Sequence, residues 1–231
     1  MYTIHFITTF KLKRSLFINI HSHRPATTNE WCIENIHNEF DKLNTLFHYS
    51  IGVHPWYIKK ESIDKELETL SWAAQKDEVI AIGECGLDRI CETPFALQQK
   101  IFIQHVHLAN ETAKPLIIHC VRAHREIISI LKEHPLNVPV IFHGFNNNEA
   151  IAQQLIKEGY FLSFGHSLFH PNTQKVFSKL PIEHIFLETD DSNKNIEEIY
   201  QQACTVKNIS IEQLHLQIHK NYRKIFNAAI L

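Results

Sequence analysis

The feature that most constrains the fold is a set of five short apolar segments, each of which ends in histidine, glutamate or aspartate. These segments span residues 16–23, 79–84, 115–119, 138–143 and 184–190. Each is rich in β-branched and aromatic residues and has the length of a buried strand. Parallel α/β sheets and barrels place their ligand sites at the carboxyl ends of the strands. Five such ends with the same ligand chemistry predict one polynuclear metal site at a barrel rim.

Three further segments raise the number of predicted strands to eight: residues 48–55, residues 160–165 and a weaker candidate at residues 31–37. Amphipathic segments at helical spacing cover residues 62–75, 95–113, 122–133, 147–158, 172–180 and 211–226. This alternation predicts a parallel sheet, and eight strands close a (β/α)8 TIM-type barrel of the α/β class. The segment 24–47 is short for two crossovers, so we expect irregularity near the second strand and no helix after the first.

The composition indicates one folded domain. We expect all 231 residues to form a single barrel domain, with residues 1–14 as an N-terminal arm or extra strand. Five scattered cysteines without a Cys-x-x-Cys pair favour a reducing, cytoplasmic environment. We find no signal peptide and no membrane span, which needs about 18 apolar residues. The formal charge of −2 excludes a broad basic face. We expect no membrane association and no obligate protein partner.

Six residues at the predicted strand ends have the chemistry of metal ligands: His21, His23, Glu84, His119, His143 and Asp190. Residues two positions apart on a strand share a face, so His21 and His23 can bind one cation together. A buried Glu84 needs charge compensation, and its two oxygens can bridge two ions. The six ligands exceed one tetrahedral ion and fit two. We predict two divalent ions, with Zn, Mn, Mg or Co as candidates rather than Ca.

The chain resembles the TatD-type metal-dependent deoxyribonucleases, which are amidohydrolase-like barrels. The motifs that carry the resemblance are His21-Ser-His23, Gly52-Val-His-Pro55, Ala81-Ile-Gly-Glu-Cys-Gly-Leu-Asp88, Lys114-Pro-Leu-Ile-Ile-His119, Phe142-His-Gly-Phe145 and Leu187-Glu-Thr-Asp190. They follow the order and approximate spacing of the family from Phe17 onward. The resemblance implies one ion on His21, His23 and Asp190. It implies a second ion on His119 and His143, with Glu84 as the bridge.

The resemblance also implies a two-metal phosphodiesterase that has nucleic acid, namely DNA, as its substrate. Glu84 and Asp190 are the expected catalytic carboxylates, and Asp190 would take the proton of the attacking water. Without a broad basic face, DNA ends or short oligonucleotides are better substrates than a long duplex. Two alternatives stay open. The same barrel could hydrolyse an ester, a lactone or an amide, or it could be a non-catalytic binding or scaffold protein.

Four further residues are candidates for supporting roles. The resemblance implies a substrate-binding role for His54, and a packed histidine at the turn is the alternative. Arg122 is a candidate phosphate contact, and a solvated arginine is its alternative. Glu188 is expected to orient a ligand imidazole. Asn19 stands where the family usually has aspartate, and we expect this missing charge beneath the site to lower metal affinity.

The segment after Asp190 departs from the family pattern, which commonly has a Pro-Tyr-rich loop there. Here residues 191–197 lead directly into a predicted helix. We therefore expect the loop at residues 191–196 to influence the choice of substrate. Trp31, Trp56 and Tyr57 lie near predicted loops and are candidates for stacking on bases, with core packing as the alternative.

Overall fold

The structure is a computed structural model that describes residues 16–38, 40 and 43–226. The strands are β1 Phe17–Ser22, β2 Glu30–Ile36, β3 His48–Ile51, β4 Val79–Asp88, β5 Leu116–Val121, β6 Val140–Phe142, β7 Phe161–Phe164 and β8 Ile185–Leu187. The helices are α1 Ile63–Ala73, α2 Phe95–Thr112, α3 His124–Glu133, α4 Glu149–Lys157, α5 Pro171–Lys179, α6 Ile196–Lys207 and α7 Ile211–Phe226. The predicted arm at residues 1–14 lies outside the described residues.

The eight strands form one parallel sheet in the order β1 to β8. A bridge between Ser22 and Asp190 joins the end of β1 to the segment after β8. The Asp190 N–H donates to the carbonyl of His21 at 3.0 Å, and the His23 N–H donates to the carbonyl of Asp190 at 3.3 Å. The sheet is therefore a nearly closed barrel, and the predicted (β/α)8 fold is confirmed.

The predicted irregularity near β2 is also present, because no α-helix is found among the described residues between β1 and β3. Several predicted boundaries were wrong, and those of β3, β4 and α3 lie close to the site. Strand β3 ends at Ile51 rather than at residue 55. Strand β4 continues past Glu84 to Asp88, because its last residues pair with β5. Helix α3 begins at His124, and Arg122 precedes it in a left-handed conformation with φ of 53°.

Most barrel strands are buried on both faces, whereas β2 is only partly buried. Neighbouring residues Ile117 and Ile118 of β5 both have 0% exposure, which is possible because helices cover the outside of the sheet and side chains fill the inside. Within the described part of the chain, no helix combines the length and the apolar character needed to cross a membrane.

Two polar side chains from the last helices satisfy the backbone near the junction of β8 and β1. The buried Tyr200 hydroxyl of α6 donates to the Ile18 carbonyl at 3.0 Å and accepts from the Ile18 N–H at 3.2 Å. The Asn221 amide of α7 donates to the carbonyls of Ile182 and Ile185, both at 2.8 Å. Strand β8 has only three residues. The side chains of Tyr200 and Asn221 therefore provide hydrogen bonds to backbone groups that would pair with a neighbouring strand if β8 were longer.

Candidate metal centre

All six predicted ligands meet at the carboxyl-terminal edge of the barrel. They are His21 in β1, His23 just after it, Glu84 in β4, His119 in β5, His143 just after β6, and Asp190 after β8. All except Glu84 stand near the carboxyl end of a strand, and Glu84 lies four residues before the end of β4. Parallel pairing aligns the strands so that these side chains meet at one rim. Their sequence separations are large, so the barrel register alone brings them together.

Glu84 is the centre of this group, and its two carboxylate oxygens face different histidines. Oε1 lies 2.7 Å from Nε2 of His143 and 2.8 Å from Nδ1 of His119. Oε2 lies 3.5 Å from Nε2 of both His21 and His23. The side chain of Glu84 is only 5% exposed, so these contacts are made inside the barrel mouth. One carboxylate thus joins two sets of imidazoles.

Asp190 completes the set on the Oε2 side. Its Oδ1 lies 3.3 Å from Nε2 of His23 and 3.6 Å from Nε2 of His21. Donor atoms of His21, His23 and Asp190 all lie within 4.8 Å of one another, as metal ligands must. The Asp190 side chain is 34% exposed, which leaves this carboxylate open to the cavity.

Unsatisfied buried nitrogens show that the residues fit a metal ion. The His21 side chain is 0% exposed, yet neither of its ring nitrogens has a hydrogen-bond partner. Nδ1 of His143 is also buried without a partner. A buried polar group left unpaired costs roughly 1–3 kcal/mol. Imidazole and carboxylate donors are the ligands that zinc and similar divalent ions prefer, so a cation bound to Nε2 of His21, which faces Glu84 and Asp190, would remove the cost at that nitrogen.

The charges of the cluster hold one another ionised. Burial opposes the charge of Glu84, but His143, His119 and His21 bring its pKa well below the usual value. Contacts with Asp190 and Glu84 raise the pKa of His23 to about 9. Burial also opposes the charge of Asp190, but His21 and His23 lower its pKa. Metal ligands must give up such protons, so metal binding here releases protons and strengthens as the pH rises.

Asp88 supports His119 from the outer side. Its Oδ2 lies 3.3 Å from Nε2 of His119 and accepts the indole N–H of Trp56 at 2.6 Å. Its Oδ1 accepts the N–H of Ile90 at 2.8 Å, and its own N–H donates to Gln98. Asp88 therefore both holds the turn that follows β4 and orients the ring of His119.

Glu188 and Asn19 support the site in different ways. Oε1 of Glu188 accepts the Gly144 N–H at 2.6 Å and lies 3.6 Å from Nδ1 of His143. Asn19 bonds through both amide atoms to Thr189, the neighbour of Asp190, and not to a ligand ring. Its amide also donates to Glu30 at 2.8 Å. An aspartate could not donate this hydrogen bond, so the contact with Glu30 explains why asparagine suits position 19 in this chain.

Five of the six candidate ligands, all except the fully buried His21, line a cavity of about 400 Å³. The lining residues are His23, Asn35, His37, Gly52, His54, Trp56, Tyr57, Glu84, His119, His143, Asp190 and Asp191. His54 lies deep in the group, with Nε2 3.2 Å from Glu84 Oε1. Arg122 is exposed and is not among the lining residues, so its contact with phosphate stays a prediction.

Sequence reasoning missed Asn35 and His37. The Asn35 side-chain oxygen accepts the Glu84 N–H at 2.8 Å, and His37 lines the cavity. A signal was available, because the weak strand β2 also carries polar residues at its carboxyl end. Its composition was less apolar than that of the other strands, so this end was not recognised as part of the rim.

Residues 17–227 match the family model described as TatD related DNase. The chain belongs to the TatD-related DNase family. A metal-dependent hydrolase of Buchnera aphidicola, itself described as uncharacterized, is 30% identical over 222 residues, or 85% of this chain and 84% of that protein. The uncharacterized metal-dependent hydrolase YjjV of Escherichia coli is 33% identical over 147 residues, or 61% of this chain and 56% of YjjV.

Solved structures of TatD homologues share the barrel. The crystal structure of YjjV superposes with a TM-score of 0.83 at 23% identity, and the match covers 94% of this chain and 100% of that one. At this identity the likeness supports the fold alone. Membership in the TatD family makes the chain a metal-dependent hydrolase, in agreement with the grouping of its histidines and carboxylates.

Proposed function

We propose that the chain is a two-metal phosphodiesterase that cleaves DNA ends or short oligonucleotides. The observation that supports this most is the position of Glu84, whose two oxygens face separate sets of imidazoles. Two ligand sets around one carboxylate suit a bridged pair of divalent ions. When bound, such ions activate water and neutralise charge on the phosphoryl and leaving oxygens.

The residues of the chain then have distinct roles. His21, His23 and Asp190 would hold one ion on one side of Glu84, and His119 and His143 would hold a second ion on the other side. Asp190 accepts the proton of the attacking water, because its carboxylate is the most exposed of the cluster carboxylates and opens to the cavity.

The orienting contacts keep the ligand rings in place during the reaction. Asp88 fixes the ring of His119, and Glu188 lies beside His143 while it holds the Gly144 N–H. Fixed ligands lower the reorganisation that the transition state requires, which is the main contribution a protein makes to such a centre.

The cavity favours a small substrate. No Lys or Arg occurs among the described residues that line it, so charge neutralisation must come from the metal centre. Attraction to the backbone of a long duplex requires many basic contacts. For a strand end or a short oligonucleotide, contact between the metal centre and a single phosphodiester is sufficient.

The same lack of Lys and Arg in the described lining supports a second candidate, hydrolysis of a neutral ester, lactone or amide. The ligand set serves either reaction, because both proceed through oxygen attack and charge build-up on an oxygen. The non-catalytic barrel is the weakest hypothesis, since a scaffold has no use for buried unpaired imidazoles.

Turnover on matched substrates tests the proposal. Metal-free protein would be reloaded with Mn, Zn, Mg or Co and assayed on bis-p-nitrophenyl phosphate, a DNA oligonucleotide, p-nitrophenyl acetate and a lactone. We expect metal-dependent cleavage of the two phosphodiesters. Glu84→Gln should abolish it, whereas Glu197→Gln, at an exposed carboxylate of α6, should not. Cleavage of the neutral esters alone would establish the second candidate, and no turnover on any substrate would favour the scaffold.

A further inference from the structure

Two large aromatic side chains stand exposed at the edge of the cavity. Trp56 is 57% exposed and Tyr57 is 49% exposed, although both line the pocket that contains the metal ligands. They belong to a short 3-10 helix, Pro55–Tyr57, that follows β3. Exposed aromatic surface is unfavourable in water, and its position beside a polar cavity points to a ligand that covers it.

Both rings are held rigidly. The indole N–H of Trp56 donates to buried Asp88 at 2.6 Å, which fixes one edge of the ring. The ring of Tyr57 lies against His37, with centroids 4.6 Å apart and planes inclined by 33°. Nδ1 of His54 accepts the Trp56 N–H at 3.1 Å and so caps the short helix. A ligand would therefore meet surfaces that lose little entropy on binding.

These rings lie close to the reaction centre. The Trp56 ring centroid is 6.3 Å from that of His119, and the Tyr57 centroid is 5.6 Å from that of His54. Asp88 contacts both Trp56 and His119, so a single carboxylate positions a metal ligand and the exposed indole. A molecule that covers the indole and also reaches the ligands needs a flat ring joined by a short linker to an anionic group.

We propose that Trp56, Tyr57 and His37, here called the aromatic wall, form a nucleobase-binding subsite for the nucleotide whose phosphate is held at the metal centre. This inference rests on the proposed phosphodiesterase function. Stacking uses the face that every base possesses, so the subsite should accept all four bases with little preference. The described residues that line the cavity include no Lys or Arg, so basic side chains there do not contribute to substrate affinity. Stacking on the aromatic wall would supply affinity instead.

Binding of mononucleotides tests the subsite without requiring turnover. Metal-loaded protein would be titrated with thymidine 5′-monophosphate and with deoxyribose 5-phosphate, which has the same phosphate and no base. Calorimetry gives the affinities, and quenching of tryptophan fluorescence reports stacking. Trp56→Ala should weaken the binding of the nucleotide about 5- to 100-fold, because one stacked base contributes roughly 1–3 kcal/mol. The affinity for the sugar phosphate should stay unchanged.

Two further variants separate stacking from support of the site. Trp72→Ala removes an exposed tryptophan of α1 that does not line the cavity, and it should change neither affinity. Trp56→Phe keeps an aromatic face but loses the N–H bond to Asp88, so it should retain most of the nucleotide affinity. Equal weakening of both ligands in Trp56→Ala would overturn the subsite, and so would an unchanged nucleotide affinity.

The outcomes also distinguish the subsite from the proposed function. If the base contributes to affinity through Trp56 but no phosphodiester is cleaved, the subsite stands and the phosphodiesterase proposal fails. If phosphodiesters are cleaved while nucleotide and sugar phosphate bind equally well to the wild type, the aromatic wall does not recognise bases.

Discussion

Asp190 is the residue on which the proposed chemistry most depends. Asp190→Asn keeps the shape of the side chain but removes its charge and its ability to accept a proton. We expect phosphodiester turnover at saturating metal to fall at least ~100-fold, since loss of a general base and a ligand charge costs that much. Circular dichroism should show an unchanged fold. Turnover close to that of the wild type would mean that another group takes the proton.

The sequence was sufficient to predict that the six candidate ligands lie close together, but not most of the contacts that support them. His119 and His143 could be recognised because each ends an apolar run, and strand ends meet at one rim. The roles of Asn35 and Asp88 depend on side-chain directions and on the register of strands far apart in sequence. The contact of Arg122 with phosphate stays a prediction, because Arg122 is exposed and is not among the residues that line the cavity.

His105 is a buried histidine outside the metal centre. Its Nε2 accepts the Val53 N–H at 2.9 Å and its Nδ1 faces the Ile101 carbonyl at 2.8 Å, so the ring must be neutral. Burial lowers its pKa to about 4, against 6.5 in the unfolded chain. The native state then binds fewer protons, and the stability that His105 contributes is present above pH 6.5 and lost as the pH falls toward 4.

The stability difference between the wild type and His105→Gln should therefore depend on pH. Glutamine can replace both hydrogen bonds but does not titrate in this range. We expect the advantage of the wild type in unfolding free energy to shrink by on the order of 2 kcal/mol between pH 7 and pH 4.5. Urea unfolding with a chelator present in every sample removes the contribution of bound metal. A difference that stays constant over this range would contradict the assignment.

At the scale of elements, β4 carries much of the site, because Glu84, Gly86 and Asp88 occupy alternate positions in it. Gly86 allows β4 to approach β5 at the ligand His119. A Cβ atom at Gly86 would lie 2.0 Å from the His119 carbonyl oxygen, and φ is +146°. The backbone of β5 would have to move, and the His119 ring would move with it.

Gly86→Ala should therefore reduce both stability and metal affinity. Overpacking of this kind costs typically 1–3 kcal/mol, in addition to the strain of positive φ. Gly159→Ala is a matched control, because Gly159 also has positive φ, +86°, but no atom lies within 4 Å of the added Cβ. Urea unfolding and metal titration of both variants give the comparison. Equal effects on metal affinity would show that close approach at His119 is unimportant.

At the scale of the whole molecule, the barrel is completed partly by helices. Tyr200→Phe would leave the buried N–H and carbonyl of Ile18 without their partner. Two such groups cost roughly 2–5 kcal/mol. Tyr49→Phe is the control, because the N–H that its hydroxyl accepts belongs to the exposed Asn44 and can bind water instead. Equal losses of unfolding free energy in the two variants would contradict this role for Tyr200.

The whole barrel was more predictable than its closure. Seven of the eight strands follow from apolar runs, because a strand covered on both faces is largely apolar. The exception is β2, which is only partly buried and carries Glu30, Glu34 and Asn35. The contacts of Tyr200 with Ile18 join residues 182 positions apart, and nothing in the local sequence marks them. For the aromatic wall, the sequence indicated Trp56 and Tyr57 as candidates for stacking, but not their exposure, which depends on the residues that pack around them.

The binding of two divalent ions by Glu84 can be observed in a crystal loaded with metal. Crystals soaked in Mn²⁺ would be measured for anomalous scattering. We predict two peaks within ~4 Å of each other, the spacing of two-metal hydrolases. One oxygen of Glu84 should contact each ion. A single peak at saturating Mn²⁺, or two peaks of which Glu84 contacts only one, would contradict the account.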